Sequence, residues 1–200
     1  MKRVLVIGAD SGIGQAVFAR YPGCAGTSRR ENSEYVFLDI MNPESYPTWD
    51  EKFDIVYYCV GIGGTNKTFE EVLSINTKCT IDCLVHISQY VRDGGIIKIM
   101  SSITASLSLG VVRGMPGVNI NYRMSKVALN IGVVNLSHRF KEIKWQLIHP
   151  GYVLTAMTAG TNFAGVEPLT PEQAAEYLIN LPTPDKNVVF LNYDGTELSW

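Results

Sequence analysis

Long apolar runs are missing from this 200-residue sequence. No segment approaches the roughly 20 apolar residues a membrane-spanning helix needs. Val4–Ile7 is too short for the apolar part of a signal peptide, and Asp10 soon follows it. An excess of one charge is missing too. Seventeen Lys and Arg face 19 Asp and Glu, a net charge of −2, so no surplus of positive charge points to nucleic acid or an anionic membrane. Cysteine is sparse. Cys24, Cys59, Cys79 and Cys83 fit no common zinc or redox spacing and are expected to be reduced thiols in a cytoplasmic protein. The three histidines, His86, His138 and His149, are spaced for no metal site. Internal repeats, low-complexity tracts and long linkers are lacking, which leaves one domain over residues 1–200 with a full core.

What is present is an alternation of strand-like and helix-like segments. Strands are expected at Arg3–Ile7, Cys24–Ser28, Tyr35–Asp39, Asp54–Val60, 94–102, 144–151 and Asn187–Leu191. Helices are expected at Gly12–Arg20, 69–91 and 121–140, and from Thr170 to about Leu181, where Thr170-Pro171 reads as an N-cap followed by proline at the first helical position. This β-α-β alternation implies an α/β fold, a parallel sheet wrapped by helices on both faces. "RENSE" at 30–34 is too short for a helix, so one crossover is reduced to a loop.

The first strand runs into "IGADSGIG", with glycines at 8, 12 and 14. Each glycine costs roughly 0.5–1 kcal/mol in regular structure relative to alanine. Three in one strand-to-helix turn imply a sharp bend and a close approach. Gly8 would allow the turn, Gly12 the approach of a pyrophosphate, and Gly14 close packing of helix on sheet. Phosphate at such a turn meets free backbone N–H groups and the helix dipole. At the end of the second strand stands Ser28-Arg29-Arg30 rather than an acid. Two guanidiniums suit the 2′-phosphate of NADP(H) better than the free ribose of NAD(H), though NAD(H) stays possible.

Tyr122 and Lys126 lie four apart and so share a helix face. An ammonium near a phenol favours its ionised form, which makes the phenol a usable proton donor or acceptor. Ser101-Ser102 ends the strand before that helix. Asn76, beside Ile75 on the apolar stripe of 69–91, is either a structural tie or part of a proton path. The strand ending in His149 leads into "HPGYVLT", with Thr155 placed for phosphate or carboxamide.

Gly8-x-x-x-Gly12-Ile13-Gly14, Asn76, Ser101-Ser102, Tyr122-x-x-x-Lys126 and Pro150-Gly151-x-Val153-x-Thr155 occur in that order. Together they resemble the short-chain dehydrogenase/reductase family over essentially the whole chain. The closing "FLNYDGTELSW" is similar to the ending of compact, C-factor-like members. The resemblance implies a Rossmann-like doubly wound sheet and reversible hydride transfer between NADP(H) and a small carbonyl or alcohol. It makes Tyr122 the general acid/base, Lys126 its partner and a ribose ligand, and Ser102 (Ser101 as the fallback) the group that holds the substrate oxygen. Asn76 would anchor a proton-relaying water. Cofactor contacts would come from Gly8, Ser11, Gly12, Ile13 and Gly14, from Ser28, Arg29 and Arg30, and from Asp39 and Ile40 at the adenine. Cys59, Val60 and Gly61 replace the family's usual Asn-Ala-Gly turn and match it in part. Tyr122, Lys126, Pro150, Gly151, Val153 and Thr155 complete the set.

Helix 121–140 is apolar on much of its surface, which suggests burial. Family members often pair such helices, implying a homodimer or homotetramer through 69–91 and 121–140. The segment from Ser102 to Tyr122, longer than is usual, carries Arg113, Met115 and Pro116 and is expected to form a lid or one wall of the pocket. Two other readings stay open: a non-catalytic NADP(H)-sensing regulator on the same fold, and a sugar-nucleotide epimerase or dehydratase, which would want a larger C-terminal domain.

Overall fold

A short, wholly buried apolar strand sits near the centre of the architecture. Val4–Ile7 (β1) is buried at every residue. It pairs in parallel with Ala25–Ser28 (β2) on one side and with Phe53–Tyr58 (β4) on the other. Val36–Phe37 (β3) extends the sheet beyond β2; Val91–Met100 (β5), Lys144–His149 (β6) and Val188–Asn192 (β7) extend it beyond β4. The order is β3-β2-β1-β4-β5-β6-β7, with every pairing parallel. This is the Rossmann-like arrangement. The computed structural model describes residues 2–31, 34–63, 66–109, 119–160 and 165–200.

Alternate side chains of each strand feed two cores. Leu5, Ile7, Val56, Ile97 and Leu147 point to one face. There they pack under Thr80–Ser88 (α3) and Ile120–Arg139 (α4) through Cys83, Leu84, Leu129 and Val133. Val4, Val6, Ile55, Ile96 and Ile148 point to the other, against Gly12–Phe18 (α1) and Pro171–Asn180 (α5) through Val17, Ala175 and Leu178. The expected cap at Thr170 is present as a full capping box with Gln173, and Pro171 opens the helix.

Three features depart from the sequence reading. Periodicity over 69–91 predicts one helix. The structure has Phe69–Leu73 (α2), a π-helical segment at Ser74–Cys79, then α3. Side chains hold that irregular segment: Thr80 Oγ1 donates to the Ile75 carbonyl (2.8 Å) and Thr77 Oγ1 to the Ser125 carbonyl (2.9 Å). Secondly, β5 begins at Val91 rather than Gly94, because Val91 pairs with Phe53 across a register shift. Thirdly, α4 is not buried all round: Met124 and Ile131 are 48% and 59% exposed.

A charge also lies inside the sheet. Lys98 of β5 is 3% exposed. Its Nζ donates to the Leu178 (2.7 Å) and Leu181 (3.0 Å) carbonyls, capping the C-terminus of α5 from within the core. Burial pushes its amine down to about 8.

Candidate active site

The sheet order reverses between β1 and β4, which opens a crevice at their C-terminal ends. The glycine turn forms its floor. Gly8 and Gly12 adopt φ of 78° and 51°, which side-chain-bearing residues rarely take. A Cβ on Gly8 would lie 2.9 Å from Val60 Cγ2, and one on Gly12 3.3 Å from Thr155 Cγ2. One on Gly14 would overlap the Gly8 carbonyl. Gly8 therefore meets the loop after β4, Gly12 meets the loop after β6, and Gly14 lets α1 sit against its own turn. Ser11 is the N-cap of α1 and makes no side-chain capping bond.

Ser28, Arg29, Asp39, Ile40, Cys59, Val60 and Gly61 line the cavity beside this turn. The tip of β2 also holds an acid that the sequence reading passed over. Asp10, inside the glycine motif, accepts a hydrogen bond from Ser28 Oγ (2.9 Å) and stands 3.3 Å from Arg30 Nε. The Arg30 amide donates to Ser28 Oγ (2.9 Å). Arg30 is thus paired within the protein, while Arg29 reaches the cavity wall. The Asp39 carboxylate accepts the Met41 amide (2.9 Å), shaping the turn after β3.

Asn76 is 1% exposed within the π-helical segment. Its Oδ1 accepts from the Ile62 amide (2.8 Å), and its Nδ2 donates to the Ile62 carbonyl (2.9 Å) and to Ser125 Oγ (3.1 Å). Its side chain stitches the loop after β4 to α4. Gly61 lies between Asn76 and Lys126: a Cβ there would be 3.4 Å from Asn76 Oδ1 and 3.5 Å from Lys126 Nζ. Burial pushes the Cys59 thiol beside this loop up to about 12, so it stays protonated.

Helix α4 starts at Asn119, whose side chain accepts from the Tyr122 amide (3.2 Å). One turn on, Lys126 is 4% exposed and donates from Nζ to the Met100 carbonyl (2.9 Å). Its Nζ lies 5.7 Å from the Tyr122 ring centroid. The Ser102 side chain faces the Tyr122 phenol. The sequence predicts a phenol acidified by Lys126. In the protein alone, burial instead raises the Tyr122 phenol, opposed by the Ser102 hydrogen bond, and burial pushes the Lys126 amine down to about 8. Desolvation leads at both groups, and the Lys126 amine is turned to the Met100 carbonyl.

The two serines separate clearly. Ser101 Oγ donates to Asn130 Oδ1 (2.6 Å), buried beneath α4. Ser102 faces Tyr122. Two further residues, not singled out from the sequence, support it. Thr104 donates to Ser102 Oγ from both its amide (3.2 Å) and its hydroxyl (2.9 Å), and Arg123 Nε donates to the Thr104 carbonyl (3.2 Å).

On the far wall, Gly151 takes φ of 86°, and Val153 is buried and bridged to Leu169. The Thr155 amide donates to Thr158 Oγ1 (2.9 Å). His149, at the end of β6, is held neutral by burial, its imidazole pushed down to about 4. Arg113, Met115 and Pro116 lie outside the described residues. Ser102, Tyr122 and Lys126 are groups that can deliver and recover a proton, and Gly61 joins Lys126 to the lining of the glycine-floored crevice.

Known proteins share this fold. The model of a family described as enoyl-(acyl carrier protein) reductase matches residues 47–181. No curated protein matches the sequence. Similar solved structures include a short-chain dehydrogenase/reductase from Burkholderia multivorans with bound NADP, 21% identical with a TM-score of 0.84 over 100% of both chains. The carbonyl reductase Sniffer of D. melanogaster is 21% identical with a TM-score of 0.82, again over 100% of both. A carbonyl reductase from Pseudomonas aeruginosa PAO1 in complex with NADP is 23% identical with a TM-score of 0.79, also over 100% of both.

Proposed function

The chain belongs to the enoyl-(acyl carrier protein) reductase family of short-chain dehydrogenases/reductases, and from that premise we propose that it is an NADP(H)-dependent oxidoreductase interconverting a small carbonyl compound and its alcohol. What carries the reading is the placing of two groups on one phenol: the Ser102 hydroxyl faces Tyr122, and Lys126 Nζ lies 5.7 Å from its ring centroid.

The crevice fits a dinucleotide. Its floor is a cradle that a Cβ at Gly8, Gly12 or Gly14 would fill or distort. Gly8, Ser11, Gly12, Ile13 and Gly14 would hold the pyrophosphate. Arg29 would meet the 2′-phosphate, with Ser28 and Arg30 beside it, and Asp39 and Ile40 would border the adenine. Cys59, Val60 and Gly61, with Pro150, Gly151, Val153 and Thr155, would flank the nicotinamide half. When bound, the nicotinamide supplies or accepts the hydride at the reacting carbon.

This chain's own residues manage the oxygen. In the reductive direction Ser102 donates a hydrogen bond to the carbonyl oxygen, and Tyr122 gives its phenolic proton to that oxygen as the alcohol forms. In the oxidative direction Tyr122 recovers the proton. Lys126 shares its helix face with Tyr122 and would reach the nicotinamide ribose. Asn76 holds the loop between them in place. Exposed Met124 and Ile131 on α4 support self-association through α2, α3 and α4 as a homodimer or homotetramer.

Fluorescence titration with NADPH and NADH, followed by turnover of a carbonyl and alcohol panel, tests the reading. NADPH should bind more tightly. Tyr122→Phe should bind NADPH as the wild type does and lose about 10²–10⁴-fold in turnover. Turnover close to wild type in that variant would refute the role of the phenol.

A further inference from the structure

The short turn after β5 holds a hydrogen-bond arrangement that the proposed reaction does not by itself require. Ser102 is the N-cap of the 3₁₀ turn Ile103–Ala105. Its Oγ accepts the Thr104 amide at 3.2 Å and the Thr104 hydroxyl at 2.9 Å. A serine oxygen has two acceptor sites and one proton to give. With both acceptor sites taken by Thr104, Ser102 has only its proton left to give, and the Tyr122 phenol is the group its hydroxyl faces. The turn is itself anchored, because Arg123, the residue after Tyr122, holds the Thr104 carbonyl through Nε at 3.2 Å. Helix α4 therefore presents the tyrosine and grips the turn that orients its partner.

We infer that Thr104 is a positioning residue, which by donating twice to Ser102 Oγ fixes the Ser102 hydroxyl as a hydrogen-bond donor toward Tyr122 Oη and toward the substrate oxygen that docks there. The inference rests on the proposed roles of Ser102 and Tyr122. Without the Thr104 hydroxyl, Ser102 can accept the phenolic proton instead of donating, which favours the neutral phenol and removes a donor from the substrate oxygen. Charged neighbours stay the same: Lys126 Nζ, 5.7 Å from the ring centroid, and Arg123, turned to the Thr104 carbonyl, are untouched by changes at residue 104.

The test uses the full chain labelled with 3-fluorotyrosine and ¹⁹F NMR without cofactor, the resonance of residue 122 being the one lost in Tyr122→Phe. Thr104→Val should raise the titration midpoint of that resonance by about 0.5–1 pH unit, the effect of losing one net hydrogen bond. Thr104→Ser, which keeps the hydroxyl, should titrate as the wild type does. In turnover, Thr104→Val should lower kcat about three- to tenfold and move the pH profile the same way, with NADPH binding unchanged. Thr104→Ala is read identically if the valine variant does not fold. An unmoved midpoint in Thr104→Val, or Thr104→Ser behaving as Thr104→Val does, overturns the inference. A wild-type protein that turns over no carbonyl or alcohol would overturn the proposed reaction instead, and the NMR midpoint would still decide the role of Thr104.

Discussion

Replacing Lys98 by methionine asks whether an ammonium within a parallel sheet is a cost or a support. The wild-type amine is pushed from 10.5 down to about 8 by burial. Between those two values the unfolded chain binds more protons than the folded one, so stability rises with pH. At one pKa unit per 1.36 kcal/mol, the rise from pH 7 to pH 10 is about 2–3 kcal/mol. Methionine has no such dependence. It also leaves the Leu178 and Leu181 carbonyls without their donor, at about 1–3 kcal/mol for each unsatisfied group. At pH 7 the two effects oppose each other, and Lys98→Met should lie within a few kcal/mol of wild type. At pH 10 the wild type should be clearly the more stable. Urea unfolding of both proteins at pH 7, 8, 9 and 10 gives the difference directly. Lys126, which burial also pushes down to about 8, is common to both proteins and cancels. A wild-type-minus-variant difference that stays flat from pH 7 to 10 would refute the assignment of a buried, titrating Lys98.

Two further predictions concern the site. Ser102→Ala should lower turnover by about 10²-fold, whereas Ser101→Ala, whose hydroxyl bonds Asn130 in the core, should cost about 1 kcal/mol of stability and spare turnover; steady-state kinetics and thermal melts on the pair tell the two serines apart, and the reverse pattern would count against the assignment. Asp10→Asn removes the charge that pairs Arg30 and should raise the NADPH-over-NADH binding ratio several-fold, read by fluorescence titration at low and high salt. An unchanged ratio would show that Arg30 takes no part in phosphate binding.

The sheet was legible because β1, β4, β7 and the inner part of β5 are runs of Val, Ile, Leu or aromatic residues between polar turns. The cap of α5 was legible because Thr170-Pro171 marks a helix start locally. The glycine turn and the Tyr122/Lys126 pair were legible for the same reason: their spacing is a property of neighbouring residues. What escaped the sequence depends on remote partners. Nothing near "GGIIKIM" says that Lys98 will find two carbonyls about 80 residues away. Asp10 reads as a loop residue until β2 brings Ser28 and Arg30 against it. Thr104 reads as one more small polar residue until Arg123 and Ser102 enclose it. The direction of the Tyr122 shift was missed because pairing by spacing takes no account of which way the Lys126 amine turns, nor of how little water reaches either group.

Ser74–Cys79 is wound more loosely than the helices on either side of it. Such a segment carries one residue more than a regular helix of the same length would hold. Removing one residue there would let the helix close up with little loss of backbone bonding. The helices on either side would keep their faces, while side chains within the segment would turn by up to about 100° around the axis. The amide of Asn76 could no longer face Ile62 and Ser125 together. The register of this one stretch is therefore a tolerance on chain length: substitutions along its outer face are cheap, whereas a single insertion or deletion would separate the crevice wall from the helix that carries Tyr122.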